Sequence, residues 1–249
     1  MHSKTHRYAL SKPMQLGLCL LVLALSLASV LLGSRLLMAG LHQYRANSFL
    51  SDWERKRQGP QDAAWQTAEQ AMHQAQKWYP AEHGAYAEQL GYMWQWRAYG
   101  ASPGLASTEL YQQQAIQAFR QASQLRPSWP YAWSGLAYAK LVAGEYDQEF
   151  RQAIQQAAHY GPSRIGINRR LAEIGLISWP ELTSDLRTLT LQQASYTARY
   201  SRASRTQLFN LAAELDRVEL LCDHLQDGIT PCAPLSEPNT APINPISAK

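Results

Sequence analysis

The sequence predicts an all-α protein: a single N-terminal transmembrane helix followed by a domain of stacked helical hairpins. Three observations carry that expectation. Residues Leu16 to Gly33 are almost wholly apolar, with Ser26 and Ser29 as the only hydroxyls and Arg35 just beyond. Two later stretches, Ala68-Met72-Ala75-Pro80 and Ala115-Phe119-Ala122-Pro127, share the pattern A-x3-[M/F]-x2-A-x4-P. Apolar residues elsewhere recur at helical spacing, and no segment alternates as a half-buried strand does.

The N-terminal run comes first. About 20 apolar residues match the hydrocarbon core of a bilayer, and a run apolar on every face is a poor buried helix of a soluble domain. We expect residues 1–15 to form a basic cytoplasmic tail, 16–38 a membrane anchor and 39–60 a helical extension and linker. A signal peptide would carry a shorter apolar core and small residues at the cleavage site. The candidate here is Met38-Ala39-Gly40, where Met fits poorly, so an uncleaved anchor is expected. Cys19 is not placed as a lipoprotein cysteine, since the apolar run continues past it. Lys4, Arg7 and Lys12 precede the run without an acidic residue among them, which keeps the N-terminus cytoplasmic. Arg45, Arg55, Lys56 and Arg57 beyond the run oppose this, but Asp52 and Glu54 accompany them.

The net charge of +4 on 249 residues belongs to this topology. Of 23 basic residues, four (Lys4, Arg7, Lys12 and Arg35) flank the run, and the other 19 equal the 19 acidic residues, all of which follow residue 50. The exported part is formally neutral and offers no nucleic-acid footprint. Cys222 and Cys232 lie in that part, and in an oxidising compartment a disulfide between them is expected. Two free thiols are the alternative. Metal binding is disfavoured because His224 has no further ligand pair near it.

The domain is expected over 61–232, before a disordered Pro-rich tail at 233–249. Gly59-Pro60 punctuates the chain, and a helix over 61–77 stops at Pro80. A second helix covers 82–99, with Tyr86, Leu90, Met93, Trp94 and Arg97 near one stripe. Gly100 to Gly104 reads as an insertion, because the two signature stretches lie 47 residues apart. This makes the hairpin of 61–77 with 82–99 irregular. Further helices cover 108–125, a segment starting at Ser128-Trp129-Pro130, 147–159, 163–177, 182–200 and 204–225. Trp133, Leu136, Ala137 and Leu141 form the inner face of the second of these, with Gly144 as its turn. Ser178-x-x-Glu181 reads as a capping box. The last segment, with Leu208, Leu211, Ala212, Leu215, Val218 and Leu221 on one face, reads as one amphipathic helix.

The two A-x3-[M/F]-x2-A-x4-P stretches carry the second-helix signature of a tetratricopeptide (TPR) unit, and residues 115–161 resemble such a repeat. Lys140 replaces the usual Tyr there, and Glu149 the usual Ala. A longer segment, from Pro130 to Cys222, has a more specific likeness. It contains Tyr131-Ala132-Trp133, the run Gly144 to Phe150, Ala157 to Pro162, Leu171 to Trp179, and Arg217 to Cys222. This segment, under half the chain, is similar to the VpsP-like proteins associated with bacterial polysaccharide biosynthesis and to helical tails of some O-antigen-ligase-type proteins. The resemblance implies a non-enzymatic accessory protein anchored in the bacterial inner membrane with its domain in the periplasm. Its implied partners are polysaccharide polymerase, ligase or export proteins, with glycan as a further candidate. A TPR adaptor of another envelope system, in secretion, pilus assembly or cytochrome maturation, is the alternative.

Chemistry is sparse. The chain has no G-x-S-x-G, H-E-x-x-H, P-loop or dinucleotide fingerprint, and no catalytic residue, cofactor or metal is expected. His73, Glu82 and His83 read as surface residues. Glu145, Asp147 and Glu149 could be paired acids, but their place at a helix start fits the helix dipole more simply. An aromatic-rich middle runs from Trp78 to Trp133. Trp96 and Trp129 are candidates for binding, Trp96 as an exposed aromatic because Trp94 and Trp96 cannot share one core stripe. Arg164, Arg169, Arg170, Arg199, Arg202 and Arg205 form a candidate basic surface for an anionic glycan, lipid headgroup or acidic partner. A solvated face balanced by later acids is the competing reading.

Overall fold

The computed structural model describes residues 12–102, 104–225 and 232. The N-terminal residues Lys4 and Arg7 and the Pro-rich tail at 233–249 lie outside the described residues. Among the described residues there are ten α-helices, one 3-10 turn and no strand. The chain divides into two units, Met1–Leu125 and Arg126–Lys249.

The first unit contains α1 (Lys12–Lys56), α2 (Asp62–Trp78), α3 (Gly84–Tyr99) and α4 (Ala106–Leu125). At 1.5 Å per residue α1 is about 68 Å long, more than twice the thickness of a bilayer core at about 30 Å. Among the described residues it is the one helix long and apolar enough to cross a membrane, and its most apolar stretch is wholly unburied. Its second half behaves differently. Ala39, Ala46, Leu50 and Trp53 recur on one helical face and are buried against Trp65, Ala68, Met72 and Ala75 of α2 and Tyr86 and Met93 of α3. In residues 39–60, expected as a helical extension and linker, the helix does continue to Lys56, and it forms half of a packed hairpin. That hairpin closes where Arg57, at φ 52°, takes the left-handed conformation and Gln58 N–H donates to Trp53 O at 3.3 Å, a helix-ending pattern.

Helix pairing also differs from expectation. The main partner of α2 is α1, and that of α3 is α4. The supposed insertion at 100–104 is therefore the turn of a second hairpin. The signature positions explain both pairings. Ala68, Met72, Ala75, Phe119 and Ala122 are all fully buried; the alanines let helix backbones approach closely, and Met72 and Phe119 fill the space between them. Gly91 on α3 completes the second contact: a Cβ there would lie 2.8 Å from the Phe119 ring.

The second unit contains α5 (Pro130–Val142), α6 (Gln148–Tyr160), α7 (Ile165–Ile177), a 3-10 turn (Trp179–Glu181), α8 (Ser184–Tyr200), α9 (Arg202–Glu214) and α10 (Val218–Leu225). Helices α5 and α6 pair, α7 and α8 pair, and α9 packs on α8. Phe150, Ala153, Ile154 and Ala157 of α6 and Ile167, Leu171 and Ile174 of α7 are buried. Trp133 departs from its expected inner place. It is half-buried, with its Nε1–H donating to Pro127 O at 2.7 Å, while Leu136, Ala137 and Leu141 are buried.

Two local readings are corrected. Ser178 does not form a capping box: it closes α7, its Oγ donating to Ile174 O at 2.8 Å, and it makes no side-chain cap to the following turn. The segment 204–225 is not one helix. It breaks after Glu214, where Asp216 sits at φ 55°. Arg217 N–H donates to Ala212 O at 2.7 Å and Asp216 N–H to Ala213 O at 3.2 Å. This is a Schellman ending, and Asp tolerates the left-handed position better than most residues. The apolar period runs on through the break, which is why periodicity alone conceals it.

Candidate functional site

Residues 140–149 bring one lysine and three acids together in the second unit. Pro130 begins α5 at its first turn, where a missing N–H is harmless. The helix ends at Gly144, φ 72°, with Glu145 N–H bonded to Lys140 O at 2.9 Å and Gly144 N–H to Leu141 O at 3.1 Å. In this ending the residue after the glycine usually makes an apolar contact back to the helix. Here the contact is ionic: Lys140 Nζ lies 2.7 Å from Glu145 Oε2. Asp147 Oδ2 and Glu149 Oε2 each lie 3.0 Å from the same ammonium. Asp147 also caps α6, accepting from Phe150 N–H at 2.9 Å.

Burial opposes the Lys140 charge, but hydrogen bonds to the three carboxylates outweigh it and hold the ammonium well above the usual lysine range. Burial likewise opposes the Asp147 charge, but the Phe150 N–H and Lys140 hold its carboxyl below the usual range. A general acid needs the opposite shift. The acids expected to serve the helix dipole also tie the α5–α6 turn to a buried lysine. The sequence signal is a lysine where the TPR unit it resembles has a tyrosine, followed by acids five, seven and nine residues later.

In the first unit an aromatic ladder runs through Trp53, Trp65, Trp94 and Tyr111, with centroid separations of 6.2, 4.4 and 5.7 Å. The Arg97 guanidinium lies 5.5 Å from the Trp65 centroid and 5.3 Å from that of Tyr111. Its Nη2 pairs with Asp62, and its Nη1 donates to Pro60 O at 3.3 Å. Asp62, Arg97 and Tyr111 border an open cleft of about 420 Å³. Trp96 is not the exposed aromatic expected of it. It packs against the core of this unit and meets Tyr99 edge-on at 5.3 Å. Tyr99 itself is 67% exposed. Trp94 and Trp96 are both partly buried against the same core cluster.

Of the candidates in the second unit, Trp129 and Arg164 come together. The Trp129 ring meets two guanidiniums, that of Arg126 at 4.1 Å and that of Arg164 at 5.2 Å. Arg170 stacks on Tyr138 at 4.3 Å and lies 4.0 Å from Glu173. Arg205 serves structure, its Nε donating to Ala198 O at 3.1 Å in the last turn of α8. Arg169, Arg199 and Arg202 are exposed. Cys222 and Cys232 are bonded, with Cα atoms 5.0 Å apart, and join α10 to the chain beyond it. Arg217 Nη1 donates to Leu176 O, fastening the start of α10 to α7. Among the described residues no group of three or more His, Cys, Asp or Glu side chains is arranged to hold a metal.

The chain matches no known family model, no curated protein and no solved structure.

Proposed function

We propose that this chain is a single-pass protein of the bacterial inner membrane whose periplasmic helical domain is a non-enzymatic scaffold for polysaccharide polymerase, ligase or export proteins. The observation that carries the membrane part is the continuity of α1. One helix exposes an apolar half long enough for a bilayer and buries one face of its other half in the first unit. Arg35, at the end of the apolar run, donates from its Nε to Trp78 O at 3.3 Å, so the far end of α2 stands level with the edge of the run. The first unit then rides on the bilayer surface without a flexible tether, with Trp78 and Tyr44 exposed near the interface, where aromatic side chains are favoured. Confinement to the membrane plane raises the domain's effective concentration towards membrane-bound partners.

Within each unit the successive hairpins act as TPR-like repeats, offering helix faces and grooves to a partner. The likeness of residues 130–222 to VpsP-like proteins supports the polysaccharide assignment. The Lys140 tie, which occupies three acids in holding a turn, supports a binding role over a hydrolytic one.

Two experiments test this reading. A reporter fused after Leu225 should be active only outside the cytoplasm, and cytoplasmic activity would overturn the topology. Deletion of the gene should reduce surface or secreted polysaccharide, and cross-linked membranes should yield a polysaccharide polymerase, ligase or exporter with the tagged protein. Unchanged polymer, or capture of a secretion, pilus or cytochrome-maturation complex instead, would overturn the assignment.

A further inference from the structure

A second cleft, of about 310 Å³, lies between α6 and α8 in the second unit. Gln155, His159, Gln192, Gln193 and Tyr196 supply its polar groups, and Ala158, Pro162 and Leu189 its apolar surface. No carboxylate, lysine or arginine lines it. At its base Gln193 is 3% exposed, and its Oε1 is buried with no hydrogen-bond partner. Leaving a buried amide oxygen unpaired costs about 1–3 kcal/mol. The oxygen is closed to the cleft in this state, but Gln193 lines the cleft, and rotation about the last side-chain bond, which is broad and two-fold, turns the amide towards it.

The rim is arranged for a ligand. Gln192 Nε2–H donates to Tyr196 Oη at 2.9 Å, one helical turn along α8, which holds an aromatic ring that remains 44% exposed. The cleft thus sets amide groups that donate and accept beside an aromatic face and small apolar patches. It carries no charged group of the kind that selects a phosphate or uronate.

We infer that the α6–α8 cleft binds an uncharged saccharide segment, with Gln193 meeting a ligand hydroxyl from below and Tyr196 covering a C–H face of the sugar ring. Alternating hydroxyl and C–H surfaces are what this mixture of amides, ring and aliphatic groups complements. The choice of saccharide rests on the polysaccharide reading above. The site itself rests on Gln193 and the cleft. The adapted surface is then neutral, and it is distinct from the arginines that charge alone had marked.

The full chain in lipid nanodiscs should be probed with immobilised neutral gluco-, galacto-, manno- and N-acetylglucosamine hexamers, with polyuronate hexamers and with uncharged decapeptides. At least one neutral hexamer should be retained. Gln193→Met, which keeps the volume and removes the amide, should weaken retention about tenfold or more. Tyr196→Ala, at an exposed position, should also weaken it, and tests the site if Gln193→Met does not fold. Retention of no probe, of polyuronates only or of peptides only, or retention unchanged in the folded variants, would overturn the inference. A gene deletion that lowers polymer output while the wild-type protein retains no hexamer leaves the scaffold reading standing and removes this site. Retention without a polymer phenotype does the reverse.

Discussion

Replacing Lys140 with Met removes the charge on which the α5–α6 turn converges while keeping a flexible apolar chain in its place. The lysine side chain is 2% exposed, and its partners Glu145, Asp147 and Glu149 are 33%, 55% and 30% exposed. Breaking a fully buried ion pair costs about 3–5 kcal/mol. The carboxylates left behind keep part of their hydration, so the expected loss is smaller, about 2–3 kcal/mol. For a chain of this size that lowers Tm by about 4–12 °C. Thermal unfolding of the full chain, followed by the helical circular dichroism signal, measures it. Adding Glu145→Gln, Asp147→Asn and Glu149→Gln to Lys140→Met should recover most of the loss, because no unpaired charge then remains and Asn still caps α6. The pH dependence has a definite sign. Lys140 is raised in the folded state, so its contribution is complete below about pH 10.4, the unfolded value, and is lost only as pH rises through the folded one. Asp147 is lowered, so its contribution is present above about pH 3.9 and is lost as pH falls through its folded value. The gap between wild type and Lys140→Met should therefore narrow at acidic pH, where the carboxylates become neutral. A Lys140→Met protein within about 0.5 kcal/mol of wild type at pH 7, or a neutralised combination no more stable than the single variant, would refute the reasoning.

Three further outcomes follow from the packing. Gly91→Ala forces a Cβ to within 2.8 Å of the fully buried Phe119 ring, so overpacking at the α3–α4 contact should cost about 1–3 kcal/mol in thermal unfolding. Replacing both Cys222 and Cys232 with Ser opens a loop whose cysteines are 10 residues apart, which should cost about 2–3 kcal/mol. Peptide mapping without reductant should recover the linked pair from native membranes, and a reduced pair would contradict export of this segment. Asp216→Gly should leave stability unchanged or raise it, and Asp216→Val should lower it by about 1–2 kcal/mol, since a left-handed residue penalises a branched Cβ. An Asp216→Gly protein no more stable than Asp216→Val would mean that 204–225 is a continuous helix, where glycine is the poorer residue.

The helices were legible because each carries its own signal. Pro130, Gly144 and Gly161 mark ends, and Phe150-Ala153-Ile154-Ala157 marks an inner face that is buried. The break at Asp216 was not legible, because the apolar period of α9 and α10 runs through it. The candidate site was less legible than the fold. Trp129 and Arg164 do meet, but Trp96 is covered by its own unit, and Arg205 is occupied with the end of α8. Gln193 was not legible, since a glutamine beside another, Gln192, reads as surface, and only packing between helices buries it.

By itself the sequence determined the all-helical character of the described residues, the apolar half of α1 and inner faces such as that of α6, because these depend on residues three and four positions apart. The tertiary structure alone decided that α1 continues into the body, that α3 pairs with α4, that three acids meet on Lys140 and that Gln193 lies beneath a cleft. Those features depend on which faces fit across turns and between helices, and local periodicity carries no record of the partner.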